Sequence, residues 1–138
     1  MSTTELQSTE HLLDVTERLT RCWDQRDIEG TLRYYTEDVQ YSEPGAGVKI
    51  GSREKLRNYL KKYFQEWDSR WTIHEHFRLE GQNGLVVFWD MEVWRHGSTE
   101  RLMTKGMDLL MVRGEQISRD TVYYDRMQLK SLLVRADK

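Results

Sequence analysis

The sequence has one cysteine, Cys22, and one proline, Pro44, in 138 residues. A lone cysteine rules out an intrachain disulfide and any zinc site built on several thiolates, so nothing in the chain calls for an oxidising compartment. Excess charge is also scarce: 21 Lys and Arg stand against 23 Asp and Glu, a formal net charge of -2. Without a long-range field of one sign, neither nucleic acid nor an anionic membrane surface is an expected partner. No apolar run approaches the roughly 18 residues a membrane span needs, and the polar start from Met1 to Glu10 lacks the basic and apolar regions of a secretion signal. The expected protein is soluble and cytoplasmic. Repeats, low-complexity stretches and Pro/Gly/Ser-rich linkers are missing too. Residues 10–133 are therefore expected to form one domain, with flexible tails at 1–9 and 134–138. A domain of that size buries about two-thirds of the surface its unfolded chain exposes.

What is present is a change of period halfway along the chain. Leu12, Val15, Thr16, Leu19, Cys22 and Trp23 recur at three- and four-residue steps, which predicts a helix with one apolar stripe reaching about Arg26. Asp27 is placed to cap a short second helix presenting Ile28, Leu32 and Tyr35. Val39 to Ser42 is extended and ends in a loop at Pro44, Gly45 and Gly47. Ser52 caps a third helix whose buried stripe is Leu56, Leu60, Tyr63, Phe64 and Trp67. Its Lys55, Arg57, Lys61 and Lys62 fall off that stripe and form a solvated face.

From Trp71 onward the period is two, and turn residues at Gln82-Asn83-Gly84, Gly97-Ser98 and Gly114 divide the remainder into four strands of an antiparallel meander. Alternation puts Trp71, Ile73, Phe77 and Leu79 on one face of the first long strand. Leu85, Val87, Trp89, Met91 and Val93 share a face of the next, with Val86, Phe88 and Trp94 opposite. Three helices can cover only one face of such a sheet, so a homodimer through the other face is expected. Helices first and a long antiparallel sheet afterwards define an α+β fold.

This order of elements resembles the nuclear transport factor 2-like superfamily, in its SnoaL-like polyketide cyclase and ketosteroid isomerase-like branch. Three stretches carry the resemblance: Arg26 to Val39, with an aromatic followed by an acidic-Asp turn; Tyr41-Ser42-Glu43-Pro44-Gly45 followed by Gly51; and Gly114 through Ile117 and Arg119 to Tyr123-Tyr124-Asp125. The resemblance implies a cone in which three N-terminal helices pack on a curved, mainly antiparallel, cystatin-like sheet around a pocket.

It also implies a set of site residues. Glu43, just before Pro44, matches the carboxylate that in ketosteroid isomerases abstracts a proton beside a carbonyl. Asp108 matches the acid on a central strand that stays protonated and donates a hydrogen bond to the enolate oxygen. Such a pair needs different environments, because a base must be ionised and a donor neutral. Trp89, Met91, Val93 and Leu110 would supply an apolar lining, together with Trp23, Tyr63, Thr121 and Tyr123. Leu19 and Leu60 stand where the isomerases have tyrosines that serve the oxyanion. That leaves two alternatives: a base and an acid serving a different substrate, or two relics. Scytalone-type dehydratases are matched by Trp23-Asp24, Tyr41 and His74 or His76, and the polyketide cyclases by a late acid-base aspartate, Asp125, on the expected face of Ile117, Thr121 and Tyr123.

Each residue also has a plainer reading. Glu43 could be a solvated loop carboxylate, Asp108 a core ion pair with Lys105, Arg119 or Arg101, and Asp125 a cap on the turn at Arg126. His74 and His76, two apart on a strand, could join Asp90 or Glu92 around a metal, or be exposed strand histidines; no metal or cofactor is expected. The tryptophans and tyrosines serve core and dimer packing as readily as a ligand. The expectation is a cofactor-independent enzyme that moves protons on a small hydrophobic or aromatic carbonyl compound, by isomerisation, cyclisation or dehydration. Glu43 would be the base, Asp108 the oxyanion donor, and Asp125 or Tyr41 an auxiliary acid. The alternative is a non-catalytic domain that binds a hydrophobic ligand or only dimerises.

Overall fold

A computed structural model of the chain describes residues 5–129. The expected domain end at 133 and the tails at 1–4 and 134–138 lie outside the described residues. Helix α1 (Thr9–Asp24) starts at Ser8, whose hydroxyl accepts from the His11 N–H, and buries Leu12, Val15, Leu19 and Trp23. Cys22, expected on that stripe, is half-buried. Asp27 caps α2 (Ile28–Arg33) through the Gly30 N–H, and Ser52 caps α3 (Arg53–Glu66) through the Lys55 N–H. Each cap satisfies a backbone donor that the first helical turn leaves free.

The strands are β1 (Tyr35–Glu43), β2 (Val48–Ile50), β3 (Trp67–Arg78), β4 (Gly84–Arg95), β5 (Arg101–Arg113) and β6 (Gln116–Tyr124). Tyr35 and Trp67, expected on helices, begin strands instead, and the short β2 carries no signal of its own. The curved sheet has the order β2-β1-β6-β5-β4-β3; β1 and β6 run parallel and every other pair antiparallel. The three helices pack on its inner face. The segment before α1 is held as well: Asn83 Nδ2 donates to the Glu5 carbonyl at 2.9 Å and Gln7 Nε2 to the Gly114 carbonyl at 2.8 Å.

Two β-bulges decide which residues face the helices. In β3 the register shifts between Ile73 and Glu75, so Ile73 lies opposite Trp89 but Phe77 lies opposite Val86. Paired residues share a face, so Phe77 joins Phe88 on the outer face and is 55% exposed, rather than sharing the inner face with Trp71 and Ile73. The same shift puts His76 opposite Val87 while His74 stands 3.7 Å from Asp90, so the two histidines occupy opposite faces. Among the described residues no three His, Cys, Asp or Glu stand close enough to hold a metal ion. In the β5–β6 pair the register shifts after Met111, at Ser118 on β6: Val112 pairs with Ile117, but Leu110 with Asp120. Asp120, Val122 and Tyr124 therefore point inward, and Thr121 and Tyr123 outward. Among the described residues no helix is long and apolar enough to cross a membrane.

Candidate functional site

The hollow between the helices and the inner face has two chambers sharing the walls Trp23, Tyr41, Trp71 and Val122. The inner chamber, about 40 Å³, has Leu19, Trp89, Asp108, Leu110 and Asp120 around it. The outer one, about 190 Å³, holds Glu43 among Tyr59, Tyr63, Trp67, Met91, Val93 and Tyr124.

Asp108 and Asp120 come from neighbouring strands at the floor of the inner chamber. The Trp89 indole N–H donates to Asp108 Oδ1 at 2.8 Å, and the Tyr35 hydroxyl donates to Asp120 Oδ2 at 2.8 Å. Trp89 reaches Asp108 because its ring lies over Gly106, directly opposite on β5; a Cβ there would come within 2.4 Å of the ring. Asp120 Oδ1 is buried and has no protein donor. Two acids buried side by side in an apolar site resist ionising together. Burial pushes the Asp108 carboxyl up. Burial, then the charge of Asp108, hold Asp120 well above the usual carboxylate range. The ion pairs weighed for Asp108 do not form. Lys105 pairs with Asp90 at 3.3 Å, Arg101 with Glu92, and Arg119 Nε donates to Thr121 Oγ1 at 3.2 Å, all on the outer face.

Glu43 is 6% exposed, not a solvated loop carboxylate. It accepts three phenol hydrogen bonds: from Tyr41 at 2.5 Å, from Tyr59, and from Tyr124 at 3.2 Å. Tyr41 and Glu43 are two apart on β1, which aims both inward, while Tyr59 descends from α3. Burial and then the Glu43 charge raise Tyr41 and Tyr59 far above the usual phenol range, and Tyr124 to about 12, so all three remain donors at neutral pH. Asp24, at the end of α1, accepts the Trp71 backbone N–H at 3.0 Å, and burial pushes it up to about 6.

Of the residues expected in the pocket, Glu43, Asp108, Tyr41, Trp23, Tyr63, Trp89, Met91, Val93 and Leu110 line it. Thr121 and Tyr123 do not, because the Ser118 bulge turns them outward. Asp125 is exposed beyond β6, and its carboxylate accepts the Met127 N–H at 3.0 Å, the capping alternative. Sequence reasoning missed Asp120, Tyr35, Tyr59 and Tyr124. A spacing signal existed for Tyr59 alone, four residues before Tyr63 on one helix face.

The sequence pattern of the SnoaL-like domain matches residues 16–120. The chain belongs to the SnoaL-like domain family. No curated protein matches it. Solved structures agree with this SnoaL-like domain in fold. A Bacillus subtilis protein provisionally named an isomerase superposes with a TM-score of 0.81 at 13% identity, covering 91% of this chain and 94% of that one. An LEH-like epoxide hydrolase from M. tuberculosis gives 0.77 at 13% identity, over 92% of each chain. A Catenulispora acidiphila protein with a ketosteroid isomerase-like fold, solved with trimethylamine, gives 0.76 at 16% identity over 86% of this chain and 90% of that one. At such identities the likeness is one of fold alone.

Proposed function

We propose that this SnoaL-like domain is a cofactor-independent acid-base enzyme acting on a small, largely apolar carbonyl compound. The observation that carries the proposal is Asp108 and Asp120, two carboxyls buried on neighbouring strands whose burial raises their proton affinity, in a hollow that also holds Glu43; we read them as sharing one proton. With the carbonyl oxygen in the inner chamber, the shared proton of the pair is the hydrogen-bond donor. Glu43 removes a proton from the adjacent carbon; the C–H electron pair moves into the carbonyl and its oxygen becomes an enolate held by the pair. Where the substrate carries a carbon–carbon double bond next to that carbon, the enolate is conjugated with it; returning the proton to the far carbon re-forms the carbonyl and shifts the double bond, which completes an isomerisation. A carboxylate has about four lone-pair positions, so the three phenols leave Glu43 one free to accept a proton. Tyr41, which walls both chambers, fixes its direction.

The same observation about Glu43 favours a second reading. Three phenol donors occupy most of the acceptor positions of this carboxylate, as suits a non-catalytic pocket for a hydrophobic ligand. Binding of substituted phenols as enolate mimics tests the first reading. Asp108→Asn and Asp120→Asn are expected to weaken the more acidic phenols by about tenfold or more, with folding retained, because a buried charge-assisted donor is lost. Equal affinity for all phenols across the three proteins would favour the binder.

We also propose that two copies associate through the outer face. Support comes from Phe77, Met103 and Tyr123, which are 55%, 54% and 48% exposed there beside Val86, Phe88 and Met107.

A further inference from the structure

We propose that the outer chamber takes an organic cation, an alkylammonium head group, so that the substrate class is a carbonyl compound bearing such a group. The substrate half of this statement rests on the acid-base reading above; the cation site does not. The chamber combines two features that attract a positive charge lacking hydrogen-bond donors of its own. Its walls are aromatic: the centroid of Trp23 lies 5.5 Å from that of Tyr63 and 6.2 Å from that of Trp71, and Tyr59 lies 6.3 Å from Tyr63. Trp67 closes the same space. The negative faces of such rings attract a cation within about 6 Å.

The second feature is Glu43, a nearly inaccessible carboxylate. Among the described residues no Lys, Arg or His stands within ion-pair distance of it. A buried charge without a counterion is costly, and phenol hydrogen bonds offset that cost without neutralising it.

The lining selects among cations. A hard metal ion needs several oxygen ligands, mostly carboxylates and carbonyls, but Glu43 is the one carboxylate in this lining, which is otherwise phenol, indole and aliphatic side chains with Arg126 at the rim. A guanidinium would bring five N–H donors to a chamber whose acceptors are mostly committed. A methylated ammonium presents a rim of carbon and needs only ring faces and an opposite charge. At about 190 Å³ the chamber has room for roughly six water-sized volumes of about 30 Å³, enough for a trimethylammonium group. The inner chamber, about 40 Å³, has room for a single small group such as the carbonyl oxygen. A cationic substituent near the carbonyl also acidifies the carbon between them, which eases removal of its proton. Arg126 lies at the rim, exposed and donating to the Gly45 carbonyl at 2.7 Å, and its charge opposes the cation from outside.

Calorimetry with choline and its uncharged carbon twin, 3,3-dimethylbutan-1-ol, separates charge from shape. Choline is expected to bind about tenfold tighter or better. Glu43→Gln should remove most of that preference while leaving the alcohol's affinity unchanged, which also reports an intact chamber. Arg126→Gln, outside the core, should tighten choline alone. Equal binding of the two probes, no binding of either, or a preference that survives Glu43→Gln would overturn the proposal. Asp108→Asn should leave the choline preference intact, so failure of the acid-base reading and failure of the cation site are seen separately.

Discussion

Replacing Gly106 with alanine sets two physical expectations against each other. Glycine within a strand is entropically costly, so by intrinsic preference alone Gly106→Ala should stabilise the protein by about 0.5–1 kcal/mol. The structure predicts the opposite. A Cβ at Gly106 would lie 2.4 Å from Trp89 Cη2, 2.6 Å from Trp89 Cζ2 and 2.4 Å from the Tyr123 carbonyl oxygen. Carbon–carbon contacts prefer about 3.5–4.0 Å, so more than an ångström must be recovered, and one obstacle is backbone of the neighbouring strand β6, near the end of the β5–β6 pairing. Overpacking of this kind costs about 1–3 kcal/mol. If Trp89 moves to make room, its indole loses the 2.8 Å hydrogen bond to Asp108, a further loss of about 1.5–3 kcal/mol for a bond to a charged group. Gly106→Ala is therefore expected to lose about 3 kcal/mol or more in urea unfolding followed by tryptophan fluorescence. The native emission should also shift as Trp89 is displaced. A variant as stable as the parent, or more stable, with unchanged emission would refute both the placement of Trp89 and its role in fixing Asp108.

Other expectations follow from the titrating groups and the outer face. In an alkaline absorbance titration, Tyr35, Tyr41, Tyr59, Tyr63 and Tyr124 should remain protonated past the usual phenol range, chiefly because they are buried, and Glu43→Gln should lower Tyr41, Tyr59, Tyr63 and Tyr124 in part, because its charge adds to each shift. Normal titration of all seven tyrosines in the folded protein would contradict the buried cluster. Asp24 is raised from 3.8 to about 6, so the folded state binds its proton more tightly than the unfolded chain does. Its contribution to stability is complete below pH 3.8 and is lost as pH rises through 6. Asp24→Asn keeps an acceptor for the Trp71 N–H, so stability measured by denaturation should become flatter across that window; an unchanged slope would exclude Asp24 as its source. Light scattering should show a dimer that Phe77→Glu with Met103→Glu dissociates without loss of folding. A parent protein that is monomeric throughout would remove the proposed interface.

The helices were legible because their signals are local. The Asp27 and Ser52 caps and the three- and four-residue apolar steps fix α1, α2 and α3 within a few neighbours of each residue. Tyr41 and Glu43 were legible for the same reason, since alternation on one short strand sends both inward. The far half of the site was not, because a β-bulge inverts alternation and has no fixed residue signature. The bulge at Ser118 exchanges Thr121, Tyr123 and the expected direction of Asp125 for Asp120, Val122 and Tyr124. The bulge after Ile73 does the same to Phe77 and separates His74 from His76. Asp108 could be placed on an inner face from its own strand, but its partner is set by the β5–β6 register, a long-range property. A carboxyl pair cannot be read from either strand alone.

The acid-base function proposed above requires Asp108 and Asp120 to hold one proton between them at neutral pH. Carbon-13 NMR of the aspartate side-chain carboxyls, titrated through pH 7 and assigned with Asp108→Asn and Asp120→Asn, tests it most directly. The structure predicts a protonated-carboxyl signal that persists at neutral pH in the parent and is altered by either substitution. Two carboxylates, both ionised at neutral pH and titrating in the ordinary acidic range, would contradict it.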